Sequence, residues 1–87
     1  MVPRSTGTRA ATTLCALLRE LRVKAGLTQV EVANYLSRPQ SFVSKYETGE
    51  RRLDLVELGE VCDAIGVDLA ATVSSYQKRL TSTRAGR

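Results

Sequence analysis

Apolar residues recur along the chain at helical spacing. Between residues 10 and 25, Leu14, Leu17, Leu18 and Leu21 stand three and four apart, with Arg19, Glu20 and Arg22 among them. That is the signature of an amphipathic helix, and Gly26 follows it as a C-cap. Thr28 then offers an N-cap hydroxyl, and Glu31 three residues later completes a capping box. The short helix it opens turns Val32, Ala33 and Leu36 inward and ends by Ser37. Pro39 stands at the mouth of a third helix, where its missing N–H does little harm. This helix is expected to run to about Glu47, to bury Val43 and Tyr46, and to stop at Thr48-Gly49. Leu55, Leu58, Val61, Cys62 and Ile65 form the stripe of a fourth, closed by Gly66. Asp68 caps a fifth, with Leu69, Val73, Tyr76 and Leu80 on one face. No stretch alternates long enough to argue a strand. The pattern predicts an all-α domain of five helices over residues 10–80. A flexible N-terminal arm is expected at 1–9, where Pro3, Gly7 and several Ser/Thr break any periodicity, and a polar flexible tail at 81–87.

Composition narrows the chemistry. A chain of 87 residues is one domain. Its longest apolar runs are far short of the ~20 residues a membrane span needs, and no basic start leads into a signal-like apolar core. There is no histidine, the commonest general base and metal ligand, and the two cysteines, Cys15 and Cys62, lie inside apolar helical patterns. No metal site, cofactor or small-molecule ligand is expected. An enzyme has no nucleophile–base pair or phosphate loop to support it, and a cytoplasmic, reduced setting is the default. The net charge of +4 is unevenly spread: residues 1–25 carry +4, 26–52 carry +1, 53–75 carry −5, and 76–87 carry +4. One face is expected to be basic and able to meet a polyanion, another acidic.

Two very short helices joined by a tight turn read as a helix-turn-helix, with the small Ala33 letting the following helix cross close over it. A helix of eight or nine residues is marginal alone, so its neighbours must hold it. On its own, this spacing is equally compatible with a helical bundle that never meets DNA.

From about Leu18 to Leu69 the chain resembles the phage lambda repressor-like (Cro/Xre-type) DNA-binding family. The resemblance lies in Gly26-Leu27-Thr28-Gln29, Val32-Ala33, Gln40-Ser41, Ser44-Lys45-Tyr46-Glu47 leading into Gly49, and Leu58 through Ala64-Ile65-Gly66-Val67. There are three departures. Ser37 stands where the family usually has glycine, Arg38-Pro39 replaces a common Val-Ser or Thr-Thr, and Leu53 occupies a frequent proline site.

The resemblance implies roles at matching positions. Thr28 and Gln29 open the second helix, where Gln29 would bind a phosphate and brace the reading helix; free N–H groups at a helix start suit an anion. Gln40 and Ser41 would be the first base-reading residues, glutamine pairing with adenine N6 and N7. Phe42 is expected to be exposed against a thymine methyl, because Val43 and Tyr46 already supply the inward positions. Lys45 would reach guanine or a phosphate. Arg38, Ser44, Thr48, Arg51 and Arg52 are expected on the DNA backbone. Arg22 and Glu47 match a pair that forms a structural salt bridge. Family members usually pair on palindromes with half-sites about 34 Å apart. A homodimer surface is therefore expected at Val67, Leu69, Val73, Tyr76 and Leu80, more apolar residues than one terminal helix needs for docking. The implied function is a transcriptional regulator binding double-stranded DNA; the alternative is an antitoxin-like interaction module on the same fold.

Overall fold

The computed structural model describes residues 8–85, with side chains through Thr81. Five helices follow in order: α1 (Arg9–Lys24), α2 (Gln29–Leu36), α3 (Gln40–Thr48), α4 (Leu55–Ile65) and α5 (Leu69–Ala85). Among the described residues there is no strand. Residues 1–7 of the expected arm and 86–87 of the expected tail lie outside the described residues. The helices reach further than the apolar pattern alone marks. Thr8 accepts from the Ala11 N–H and starts α1 at Arg9. At the other end α5 runs on through Ala85, since no Gly or Pro interrupts residues 81–85.

Local chemistry sets each boundary. Both halves of the capping box form at Thr28/Glu31, and a second, at Asp54/Glu57, starts α4. The α2–α3 turn is made by Ser37, which takes the left-handed conformation (φ 57°, ψ 42°) that glycine would adopt without strain. Pro39 is the N-cap of α3 and makes no side-chain cap bond. Gly49 and Gly66 end α3 and α4, both with positive φ.

Leu18, Val32, Ala33, Phe42, Val43, Tyr46, Val61 and Ile65 form the core. Ala33 is buried at the seam between α2 and α3, as its small size suggests. Leu55, read as part of the α4 stripe, instead stands 67% exposed beside the exposed Val56. It is the first residue after the cap, ahead of the turn that meets the core. Cys62 is buried and Cys15 half-buried, both as free thiols whose pKa burial pushes up. No helix among the described residues is long and apolar enough to cross a membrane.

Candidate nucleic-acid interface

α3 is two-faced. Gln40, Ser41, Ser44, Lys45 and Thr48 lie at i, i+1, i+4, i+5 and i+8, which is one side of a helix. All are exposed except the half-buried Ser44. The opposite side carries Phe42, Val43 and Tyr46, all buried. The expected reading residues thus share one outward surface, with one exception.

The exception is Phe42, which is 8% exposed and belongs to the core. The reason is geometric: positions i and i+4 stack on one helix face, so Phe42 sits above Tyr46. Their rings meet edge to face, centroids 5.6 Å apart. Val43 and Tyr46 do not fill the inward side by themselves, and the buried Phe42 ring does not stand where the expected thymine-methyl contact needs it. The ring's remaining surface is taken by two guanidinium groups, Arg38 at 4.4 Å and Arg51 at 4.8 Å from its centroid.

Beneath the outward face runs a chain of polar contacts. Arg22 and Glu47 form a bidentate pair, Nε donating to Oε2 at 2.7 Å and Nη2 to Oε1 at 3.0 Å. Both side chains are nearly closed to solvent, 10% and 3% exposed. Arg22 Nη1 also donates to the Leu27 carbonyl at 2.8 Å, tying α1 to the loop before α2. Hydrogen bonding to Glu47 raises the Arg22 pKa still further. Glu47 Oε1 accepts in addition from Gln29 Nε2 at 2.9 Å, and Gln29 Oε1 accepts from Gln40 Nε2 at 3.3 Å. An ion pair at the base of α3 therefore fixes the amide at the start of α2, and that amide reaches the first residue of α3. Arg22 pairs with Glu47, and Gln29 bonds to both Glu47 and Gln40.

The loop after α3 carries its own cluster. Arg51 donates from Nη1 and Nη2 to the two Glu57 oxygens at 3.1 and 2.9 Å, and from Nη1 to the Arg52 carbonyl at 2.9 Å. Arg38 Nη2 lies 3.8 Å from Glu57 Oε2. The Arg51 hydrogen bonds, aided by the Asp54 backbone N–H, hold the Glu57 carboxyl down at about 2. Glu57 had no expected role in the sequence beyond the acidic block. Its Asp-x-x-Glu spacing from Asp54 was the available signal, although that motif announces only a helix start. Arg52 is exposed. The Thr48 hydroxyl donates to the Lys45 carbonyl at 3.2 Å. The Thr28 hydroxyl is occupied as the α2 cap.

The expected pairing residues lie elsewhere. α5 packs on α1 and α4, and Tyr76 donates to the Ala10 carbonyl at 3.2 Å. Val67 packs against the core, and Leu69, Val73, Tyr76 and Leu80 are half-buried. Part of their apolar surface therefore closes the domain itself. Among the described residues there is no group of three or more His, Cys, Asp or Glu able to hold a metal ion.

Comparison with known proteins agrees with this architecture. The model of a family described as "Helix-turn-helix domain" matches residues 13–73. An XRE-family like protein from Pseudomonas syringae pv. tomato is 47% identical, with 80% of this chain and 85% of that one covered and a TM-score of 0.76. The clp gene regulator ClgR from Corynebacterium glutamicum is 25% identical over 83% of this chain and 94% of its own, TM-score 0.74. The restriction-modification controller protein C.Esp1396I, a tetramer in complex with its natural 35 base-pair operator, shares the fold at 17% identity, 82% and 93% coverage and TM-score 0.75. No curated protein matches by sequence. With five helices in this order and a family match across most of its length, the chain belongs to the helix-turn-helix domain family, in its Cro/Xre-type branch.

Proposed function

We propose that the chain is a sequence-specific, double-stranded-DNA-binding transcriptional regulator. α3 enters the major groove, and a homodimer occupies a palindromic operator. The observation that carries this reading is the outward face of α3. Five side chains able to meet bases or phosphates line one surface, and the first of them, Gln40, is held by Gln29 on the buried Glu47–Arg22 pair. Pre-ordered side chains lose less freedom on binding, which favours specific contacts. Gln40 and Ser41 read base edges, Lys45 reaches guanine or phosphate, and Gln29, Ser44, Thr48, Arg38, Arg51 and Arg52 meet the backbone. The similarity to a gene regulator at 25% identity supports the regulatory role. Pairing uses what α1 and α4 leave uncovered of Val67, Leu69, Val73, Tyr76 and Leu80.

The test begins with selection of bound sequences from a random duplex pool, followed by titration of the selected site and its single-base variants. Gln40→Ala is expected to relax discrimination at one base pair, worth about 1–3 kcal/mol. An equal loss of affinity on every variant would refute the base-reading role.

A further inference from the structure

Two arginines approach each other from opposite ends of α3. Arg38 precedes the helix and Arg51 follows it, yet both guanidinium groups lie within 5 Å of the same Phe42 ring centroid. Like charges so close repel, and on a plain surface long side chains would swing apart. Here two features hold them together. The Phe42 ring attracts both cations. The Glu57 carboxylate takes a bidentate grip on Arg51 and lies 3.8 Å from Arg38. Glu57 is itself fixed, because its Oε1 accepts from the Asp54 N–H at 3.0 Å in the α4 capping box.

We propose that Glu57 and Phe42 are positioning residues for DNA binding, holding Arg38 and Arg51 as a ready-made pair that grips one backbone phosphate. The proposal rests on the DNA-binding reading above and assigns that site a part the sequence did not mark. Layering supports it. The arginine side chains are 39% and 38% exposed, whereas the Glu57 side chain is 14% exposed. An anion approaching this corner meets guanidinium first, with the carboxylate behind. Two guanidinium groups face Glu57, and the Asp54 carboxylate that also acts on Arg51 is engaged with the Glu57 backbone N–H as the α4 cap. A guanidinium has five N–H donors, and the contacts to Glu57 and the Arg52 carbonyl engage only some of those on Arg51. Donors therefore remain for phosphate oxygens, in the planar fork that suits them.

The competing account is simple neutralisation, in which Glu57 cancels charge that DNA would otherwise use. The two accounts predict opposite signs. Under neutralisation, Glu57→Gln adds a net positive charge and tightens binding. Under positioning, it releases both arginines and weakens binding. Gln still completes a capping box, so α4 is kept.

The experiment measures affinity for one fixed duplex by fluorescence anisotropy over a salt series, with a thermal melt of each variant. Glu57→Gln is expected to bind more weakly, with the slope of log K against log salt shallower by about 0.9, the share of one phosphate. Phe42→Leu keeps an apolar side chain, loses the ring face, leaves the cap untouched, and is expected to shallow the slope likewise. In an Arg38→Gln/Arg51→Gln background, Glu57→Gln is expected to change nothing further, since the groups it positions are gone. Tighter binding by Glu57→Gln, or an unchanged slope in a folded Phe42→Leu protein, overturns the proposal while DNA binding stands. Failure of the unaltered chain to bind any duplex overturns the DNA-binding reading and this inference with it.

Discussion

Glu47→Ala is expected to be the most damaging single polar substitution in the domain. It removes the carboxylate that accepts from Arg22 at 2.7 and 3.0 Å and from Gln29 at 2.9 Å. Arg22 is only 8% exposed as a residue, so its guanidinium cannot simply turn to water. One contact remains, to the Leu27 carbonyl at 2.8 Å. Breaking a buried ion pair from one side leaves an uncompensated charge and costs about 3–5 kcal/mol. Domains of this size have about 5–15 kcal/mol in total, so the loss is a large share. At about 4–8 °C per kcal/mol, the melting temperature should fall by at least roughly 12 °C. The assay is urea and thermal denaturation of four proteins: unaltered, Glu47→Ala, Arg22→Met, and Arg22→Met/Glu47→Leu. The double variant should lose less than Glu47→Ala, because no charge is stranded; its remaining deficit is about 1 kcal/mol for each of the Leu27 carbonyl and the Gln29 amide, which lose these partners. A Glu47→Ala loss below about 1 kcal/mol would show that water reaches Arg22. A double variant worse than the single would show that packing, not charge, sets the cost.

Other outcomes are expected from single sites. Among the described residues the buried Tyr46 hydroxyl has no hydrogen-bond partner, and burial pushes the phenol pKa up. Tyr46→Phe should leave the urea midpoint unchanged or raise stability by up to about 1 kcal/mol; a loss above that refutes the orphan assignment. Ser37→Gly relieves a left-handed backbone at φ 57° and should stabilise by up to about 1 kcal/mol, less the extra freedom glycine gives the unfolded chain. A net loss on denaturation would count against strain at this turn. Glu57 has a depressed folded-state pKa of about 2 against an ordinary 4.5. Its ion pairing therefore stabilises fully above about pH 4.5 and fades as pH falls toward 2. Denaturation midpoints in that window should drop less in Glu57→Gln than in the unaltered chain, and identical acid profiles would refute the assignment.

Much of the fold was legible because it is encoded over short distances. The 3.6-residue period, Thr28 with Glu31, Gly49, Gly66 and Asp68 each act within a turn of their own position, and the structure places α1–α4 and the start of α5 where those signals put them. Helix ends carried by no such signal are not legible in this way. Residues 81–85 look polar but contain nothing that stops a helix. Leu55 is apolar by type, but its place directly after the cap turns it outward.

The site was less legible, for a different reason. Periodicity says which residues share a face, but not how wide the buried face is. On a nine-residue helix that width decides whether Phe42 is core or contact. The i, i+4 relation to Tyr46 is present in the sequence and points inward, whereas the presence of Val43 and Tyr46 on that side says nothing of whether they fill it. The remaining contacts join different elements, from six to 25 positions apart: Arg22 to Glu47, Gln29 to Gln40, and Arg38 and Arg51 to Glu57. No local rule encodes these. The first two could be anticipated only by resemblance, and the third lies partly where this chain departs from its family, at Arg38-Pro39. Phe42 and Arg38 depend on each other there: a buried ring at the start of α3 offers the face, and an arginine before the helix can use it. Substituting Phe42 should therefore free Arg38 and loosen the core at Tyr46 together, whereas Arg38→Ala should leave the core in place.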